Sequence, residues 1–333
     1  EYFFGDYMFR KNSLFIGIIF LFCLGGCLAD WGDSYLESSL KNGDFYKKNN
    51  GPWTQKTSIP SAFYRGGCVV HDKKIYVVGG ESSEGFLNTV QIYDPISDTW
   101  TAGASMSKSR GAPGVGLTNG KIYAFGGNID DNDGRTVEEY NISSNSWSSK
   151  NWMTVGRYGL RAETANGKIH LIGGESGGAS ARLEEYHHTS DSLAVRNNSS
   201  GARQFFASGV INNKIYVADG VTGAETSEVY DSNSRSWDLI TDPPISLSEH
   251  SGAVLNGVLY IFGGISSSST LSTVLAYDPT SDSWSYKTNM PKNLMGQCAA
   301  TVDGKIYLIG GCTNNCSGPY SYVYEYDSSK EVL

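Results

Sequence analysis

Charge is scarce in this chain of 333 residues. Asp, Glu, Lys and Arg together supply 18% of it, and their balance is −8. No block of Lys and Arg breaks that balance, so the basic face a nucleic-acid binder presents is missing and no nucleic-acid partner is expected. There are only five His, which leaves few imidazoles for a metal centre. Apolar residues at helical spacing are also lacking, which argues against helices as the main elements. Long apolar runs are absent but for one. It extends from Leu14 to Leu28, short of the roughly 20 residues of a spanning helix.

That run sits in a leader-like context. Arg10 and Lys11 precede it and small residues follow, the layout of a signal peptide over residues 1–29. Cys27 and Ala29 occupy the −3 and −1 positions of a cut before Asp30. Residues 1–7 precede Met8 and read as upstream of the start. A competing cut remains open, because "LGGC" also has the form of a lipoprotein site with Cys27 as the lipidated residue. The expectation is a secreted, extracellular protein with no membrane span once the leader is removed. Residues 30–52 form an N-terminal segment. Asn141, Asn197, Asn198 and Asn315 each begin an Asn-x-Ser triplet, the acceptor for glycosylation in that compartment.

Glycine, at 40, and Tyr, at 21, are plentiful, a profile for strands and tight turns. Much of both falls in one recurring phrase. "DKKIYVVGG", "NGKIYAFGG", "NGKIHLIGG", "NNKIYVADG", "NGVLYIFGG" and "DGKIYLIGG" follow one another at 44 to 47 residues. Tyr93, Tyr140 and Tyr277 stand thirteen residues after a glycine pair, and Trp100, Trp147 and Trp284 seven residues later. Tyr230 and Trp237 keep the second spacing, while Tyr186 is followed by Leu193. Each unit reads as four short strands, with Asn-Gly or its equivalent turning the first into the second. The glycine pair ends a strand that is apolar on both faces, where a side chain would collide with the next unit.

In glycine pair, Tyr and Trp this pattern resembles the kelch repeat over residues 53–333. The resemblance implies an all-β, six-bladed β-propeller whose first strands line a central channel. Trp53 lies 47 residues before Trp100, and no glycine-pair strand precedes it. Leu333 falls in the Trp slot of the last unit. The N-terminal segment is therefore expected to supply the outer strand of the last blade, leaving no open edge.

In such an extracellular chain the even set Cys68, Cys298, Cys312 and Cys316 reads as two disulfides. Cys312 and Cys316 lie in one loop, whereas Cys68 and Cys298 occupy neighbouring positions in the first and last repeats. Kelch propellers use the loops at the channel mouth for ligands. Arg110, Arg157 and Arg203 share one repeat position there, open to a ligand role or a structural one. Arg65 stands at the position where kelch domains that capture acidic peptides carry arginines. With Tyr158, Arg161 and Phe205, these residues make a candidate rim for a protein or an acidic glycan, since guanidinium bonds two carboxylate oxygens at once. Asp130, Asp131 and Asp133 form a weak calcium candidate, without the bidentate Glu of an EF-hand.

The leading expectation is a secreted binding or structural module in an extracellular matrix, coat or assembly, with no cofactor. The alternative is an enzyme resembling the kelch sialic-acid mutarotases, for which Glu249 and His250 are the candidate catalytic pair. An intracellular ubiquitin-ligase adaptor is disfavoured because no BTB-like region precedes the repeats.

Overall fold

The computed structural model describes residues 51–129, 134–220, 226–316 and 318–331. Its strands gather into six four-stranded antiparallel sheets, one per repeat, with inner strands Gly67–His71, Gly114–Thr118, Arg161–Ala165, Ala207–Ile211, Ser251–Leu255 and Cys298–Val302. Two short hairpins decorate blades 1 and 5, and the described residues contain no α-helix. The expected leader over residues 1–29, residues 30–50 and the aspartates 130, 131 and 133 lie outside the described residues.

The last blade closes as the spacing requires. Trp53–Gln55 pairs with Val323–Tyr326, placing Trp53 opposite Tyr326. The same register sets Tyr93 against Trp100, Tyr140 against Trp147 and Tyr277 against Trp284. What the repeated aromatic pair does then becomes visible. The Trp ring stacks on its Tyr at about 5 Å. Its indole N–H donates to a carbonyl in the linker preceding its blade, as Trp147 does to Ala104 at 2.7 Å. The Tyr hydroxyl donates to an acceptor five residues on, as in Tyr93 to Asp98 and Tyr186 to Asp191. Asp98 and Asp191 in turn receive linker N–H groups, so the Tyr hydroxyl fastens its outer strand to the linker in these blades, blade 4 being the exception.

Second strands are buried along nearly their whole length, and adjoining blades share six apolar clusters. The glycine pairs mark the closest approach. A Cβ on Gly126, at φ 57°, would collide with the Arg157 carbonyl of the next blade. Blade 4 manages without the first glycine. There Asp219 takes φ 50°, and its carboxylate accepts the N–H groups of Gly220 and Leu247.

At the opposite end of the blades, third-strand glutamates collect cations. Glu139 takes Lys121 and Lys150, and Glu325 takes Lys305 together with the Tyr307 hydroxyl. Glu185 receives Lys168, Arg196 and His187 at 2.7–2.9 Å. Burial alone would raise the Glu185 carboxyl, but Arg196 and Lys168 outweigh it and hold it at about 2, below the ordinary 4.5. A lowered carboxylate stabilises the fold above its unfolded-state value, and that contribution fades as pH falls through the folded value. Glu185→Gln is therefore expected to be less stable than the parent at pH 7. The difference should shrink between pH 4.5 and pH 2, read from urea midpoints at each pH.

Candidate functional site

The channel mouth is built from one repeated residue. Arg65, Ala112, Gly159, Phe205, Glu249 and Gly296 each stand two residues before an inner strand, all with φ between 48° and 64°. Four of them carry side chains in a left-handed conformation that ordinarily favours glycine. A closed ring of backbone hydrogen bonds holds them there. Ala112 N–H donates to the Arg65 carbonyl, Gly159 to Ala112, Phe205 to Gly159, Glu249 to Phe205, Gly296 to Glu249 and Arg65 to Gly296, at 2.6–3.0 Å. Each blade contributes one donor and one acceptor.

Side chains fill the ring. The Arg65 guanidinium lies over the Phe205 face, 4.6 Å from its centroid, and bonds both oxygens of Glu249. Glu81 stands 3.6 Å away on its other side. Burial opposes the charge on Arg65, but Glu249 more than offsets it and keeps the guanidinium firmly protonated. Beneath this plug is a void of about 20 Å³, room for about one water. Around it the rim carries two phenol–carboxylate pairs, Tyr64 with Glu81 and Tyr158 with Glu175, each bridged through its backbone. Burial first, then the neighbouring carboxylate, pushes both phenols up to about 12.

The structure therefore redistributes the residues chosen from sequence. Arg65, Tyr158 and Phe205 do meet at the mouth. Arg110, Arg157 and Arg203 do not, because they point into their own blades and are at most 1% exposed. They bond Glu138, Glu184 and Glu228, and Arg110 and Arg157 also hold the carbonyls of Gly126 and Gly173. Their role is structural. His250 also turns inward, 1% exposed, with Nε2 between the Ala207 N–H and the Ala218 carbonyl. Burial, then the charge of Arg161, drives it down to about 3. Glu249 and His250 thus face different surroundings, Glu249 toward Arg65 and His250 into the blade.

Arg161 lies below the ring on the channel wall, donating to the carbonyls of Phe206 and His250. With Glu163, Ser208, Cys68 and Cys298 it lines a channel of about 380 Å³. Glu163 follows Arg161 by two residues on the same strand face, a signal that alternation along the strand could have revealed. Its carboxyl is raised by burial, opposed by the Ser208 hydroxyl at 2.5 Å and by Arg161.

Cys312 and Cys316 are joined, their Cα atoms 5.1 Å apart. The expected Cys68–Cys298 bridge is not present. Both are thiols, in contact across the seam of blades 1 and 6, and Cys68 donates to the Ala299 carbonyl at 3.4 Å. Burial, then the hydrogen bond with Cys68, pushes the Cys298 thiol well up. Asn197 and Asn198 are exposed, whereas the Asn141 side-chain oxygen caps the N–H of Ser143. The side chain of Asn315 lies outside the described residues. The stretch Gly174-Glu175-Ser176-Gly177-Gly178 has the spacing of a hydrolase nucleophile elbow, but it is a loop between two strands with no helix behind it. Among the described residues no three metal-binding side chains converge, and no helix is long and apolar enough to cross a membrane.

The Kelch motif model matches residues 62–107, 109–151, 246–291 and 295–332, just over half of the chain. The chain belongs to the kelch family. Its unmatched units, blades 3 and 4, are those that lack the repeat's Trp or one glycine of its pair. Kelch-like protein 15 of Danio rerio is 38% identical over 99 residues, 29% of this chain and 16% of the relative. The Homo sapiens protein of that name is 36% identical over the same length and shares. An F-box/kelch-repeat protein of Arabidopsis thaliana is 31% identical over 87 residues, covering 25% of this chain and 21% of its own. The matched kelch stretch thus spans about a sixth of the first curated relatives. The solved structure of YjhT superposes with a TM-score of 0.72 at 15% identity, covering 84% of this chain and 98% of its own. At that identity it establishes the shared propeller fold.

Proposed function

We propose that this kelch propeller is a secreted interaction module that receives a protein partner on the rim around its plugged mouth. The observation that carries the reading is the hydrogen-bonded ring with Arg65, Phe205 and Glu249 packed inside it. The leader-like start and the Cys312–Cys316 bridge support an oxidising, extracellular setting in a matrix, coat or assembly. Since Glu249 already occupies Arg65, an acidic glycan would have to displace it. The rim carboxylates Glu81 and Glu175, each beside its phenol, favour a partner loop that brings hydrogen-bond donors or positive charge.

A photo-crosslinking residue at Ser176, exposed on the rim, is expected to capture the partner in the native secretion. The same residue at Ser149, on the outer strand of blade 2, should capture none. Adducts from Ser149 alone would defeat the rim reading. A sialic-acid anomerisation assay separates the alternative, for which a catalysed rate that Glu249→Gln abolishes would be required. No rate above the spontaneous one is expected.

A further inference from the structure

The seam between blades 3 and 4 departs from the pattern the rest of the ring keeps. Elsewhere the third-strand Tyr hydroxyl finds its acceptor five residues on: Asp98, Asn145, Asp191, Asp282 or Glu331. In blade 4 that residue is Arg235, and the buried Tyr230 hydroxyl has no hydrogen-bond partner. The second strands carry Tyr76, Tyr123, Tyr216, Tyr260 and Tyr307 at one position, where blade 3 has His170. The two departures meet, for the His170 and Tyr230 rings stand 5.6 Å apart.

Beside them opens a cavity of about 500 Å³, its lining including Asn166, Lys168, His170, Glu185, Ser232 and Arg235. His170 is 1% exposed, yet neither ring nitrogen has a hydrogen-bond partner, and Nε2 stands 3.5 Å from Glu185. Arg235 is exposed, with no carboxylate in ion-pair reach among the described residues. Lys168 and Arg196 pair with Glu185, Lys214 pairs with the neighbouring Asp231, and Arg235 lines the same cavity, which leaves an excess of positive charge in a chain of net charge −8. Burial keeps His170 uncharged by lowering its pKa, against the pull of Glu185.

We infer that this seam binds a small tetrahedral oxyanion, sulfate or phosphate, free or as a monoester, between Lys168, His170 and Arg235. The guanidinium fork spans two oxygens, the ammonium adds charge, and the imidazole N–H donates from the floor. The chain supplies its own control. Asp at 235 and Tyr at 170 would restore what the other blades carry, so a seam shaped by packing alone had no need of either departure.

The test is calorimetry of the full chain with sodium sulfate and with sodium phosphate at fixed ionic strength, with chloride as the blank. Saturable binding is expected for the parent. Arg235→Asp and His170→Tyr should fold, since they install residues the ring already uses, and should each weaken sulfate by about tenfold or more. Arg235→Asp should also raise the melting temperature by returning an acceptor to Tyr230. A sulfated monosaccharide run in parallel distinguishes the sources: tighter binding than inorganic sulfate assigns an ester, equal or weaker binding the free ion. Absence of saturable heat in the parent, or parental affinity in both variants, overturns the proposal.

Discussion

Arg157→Ala should lower the unfolding free energy by about 3–5 kcal/mol, the range found when one partner of a buried ion pair is removed. The substitution leaves Glu184 fully buried with its main partner gone, and it frees the Gly173 carbonyl. Arg182, itself partly exposed, is the one cation left beside Glu184. Chemical denaturation measures the loss. The companion variant is more telling. Phe63, Leu247 and Leu294 stand where Arg110, Arg157 and Arg203 do, and Leu275 stands where Glu184 does. Blade 5 thus fills both positions with leucine. Arg157→Leu combined with Glu184→Leu should recover most of the stability lost by the single change, because a well-packed apolar pair replaces a buried ion pair at little cost. If the double variant were as unstable as Arg157→Ala, the arginine would be doing something other than holding its blade.

Trp53→Ala should cost about 2–3 kcal/mol, below the full value for a buried Trp because the residue is half-buried. It removes the ring stacked 4.8 Å from Tyr326, edge contacts to Phe262 and Tyr324, and the indole hydrogen bond to Thr288. Deleting residues 51–59 should do more. It strips the outer strand from blade 6, exposes an unpaired edge and separates the two ends of the ring. Loss of the cooperative urea transition, with aggregation, is the expected outcome. The equivalent Trp147→Ala, inside a blade closed by its own outer strand, should leave the transition cooperative.

Much of this architecture was legible in the residues. The spacing of glycine pair, Tyr and Trp gave the number of blades, and the placement of Trp53 gave the strand that closes them. Local rules explain why. A hairpin turn needs Asn-Gly, a crowded strand end needs glycine, and a strand between two layers reads as an unbroken apolar run.

The candidate site was only half legible. Repeat position correctly grouped Arg110, Arg157 and Arg203, yet it could not tell that they point into the blade while Arg65, two residues further along its own repeat, points over the mouth. A positive φ separates the two positions, turning the chain so that the next residue but one faces the axis. Nor could adjacency decide His250, which follows Glu249 and is buried behind it. The Cys68–Cys298 pairing failed for a related reason. Neighbouring places in the first and last units bring the sulfurs into contact across the seam, but contact leaves two thiols as acceptable as a bond.

By itself, then, the amino-acid order determined that six sheets would form, where each begins, and how the ring is sewn shut, because each of those follows from neighbours close in the chain or from a period that counts itself. Only the assembled ring decided which groups meet across the axis. Arg65 finds Glu249, 184 residues away, and His170 finds Tyr230 across a seam. Such pairs depend on the curvature that carries one sheet round to another, and no local spacing records it.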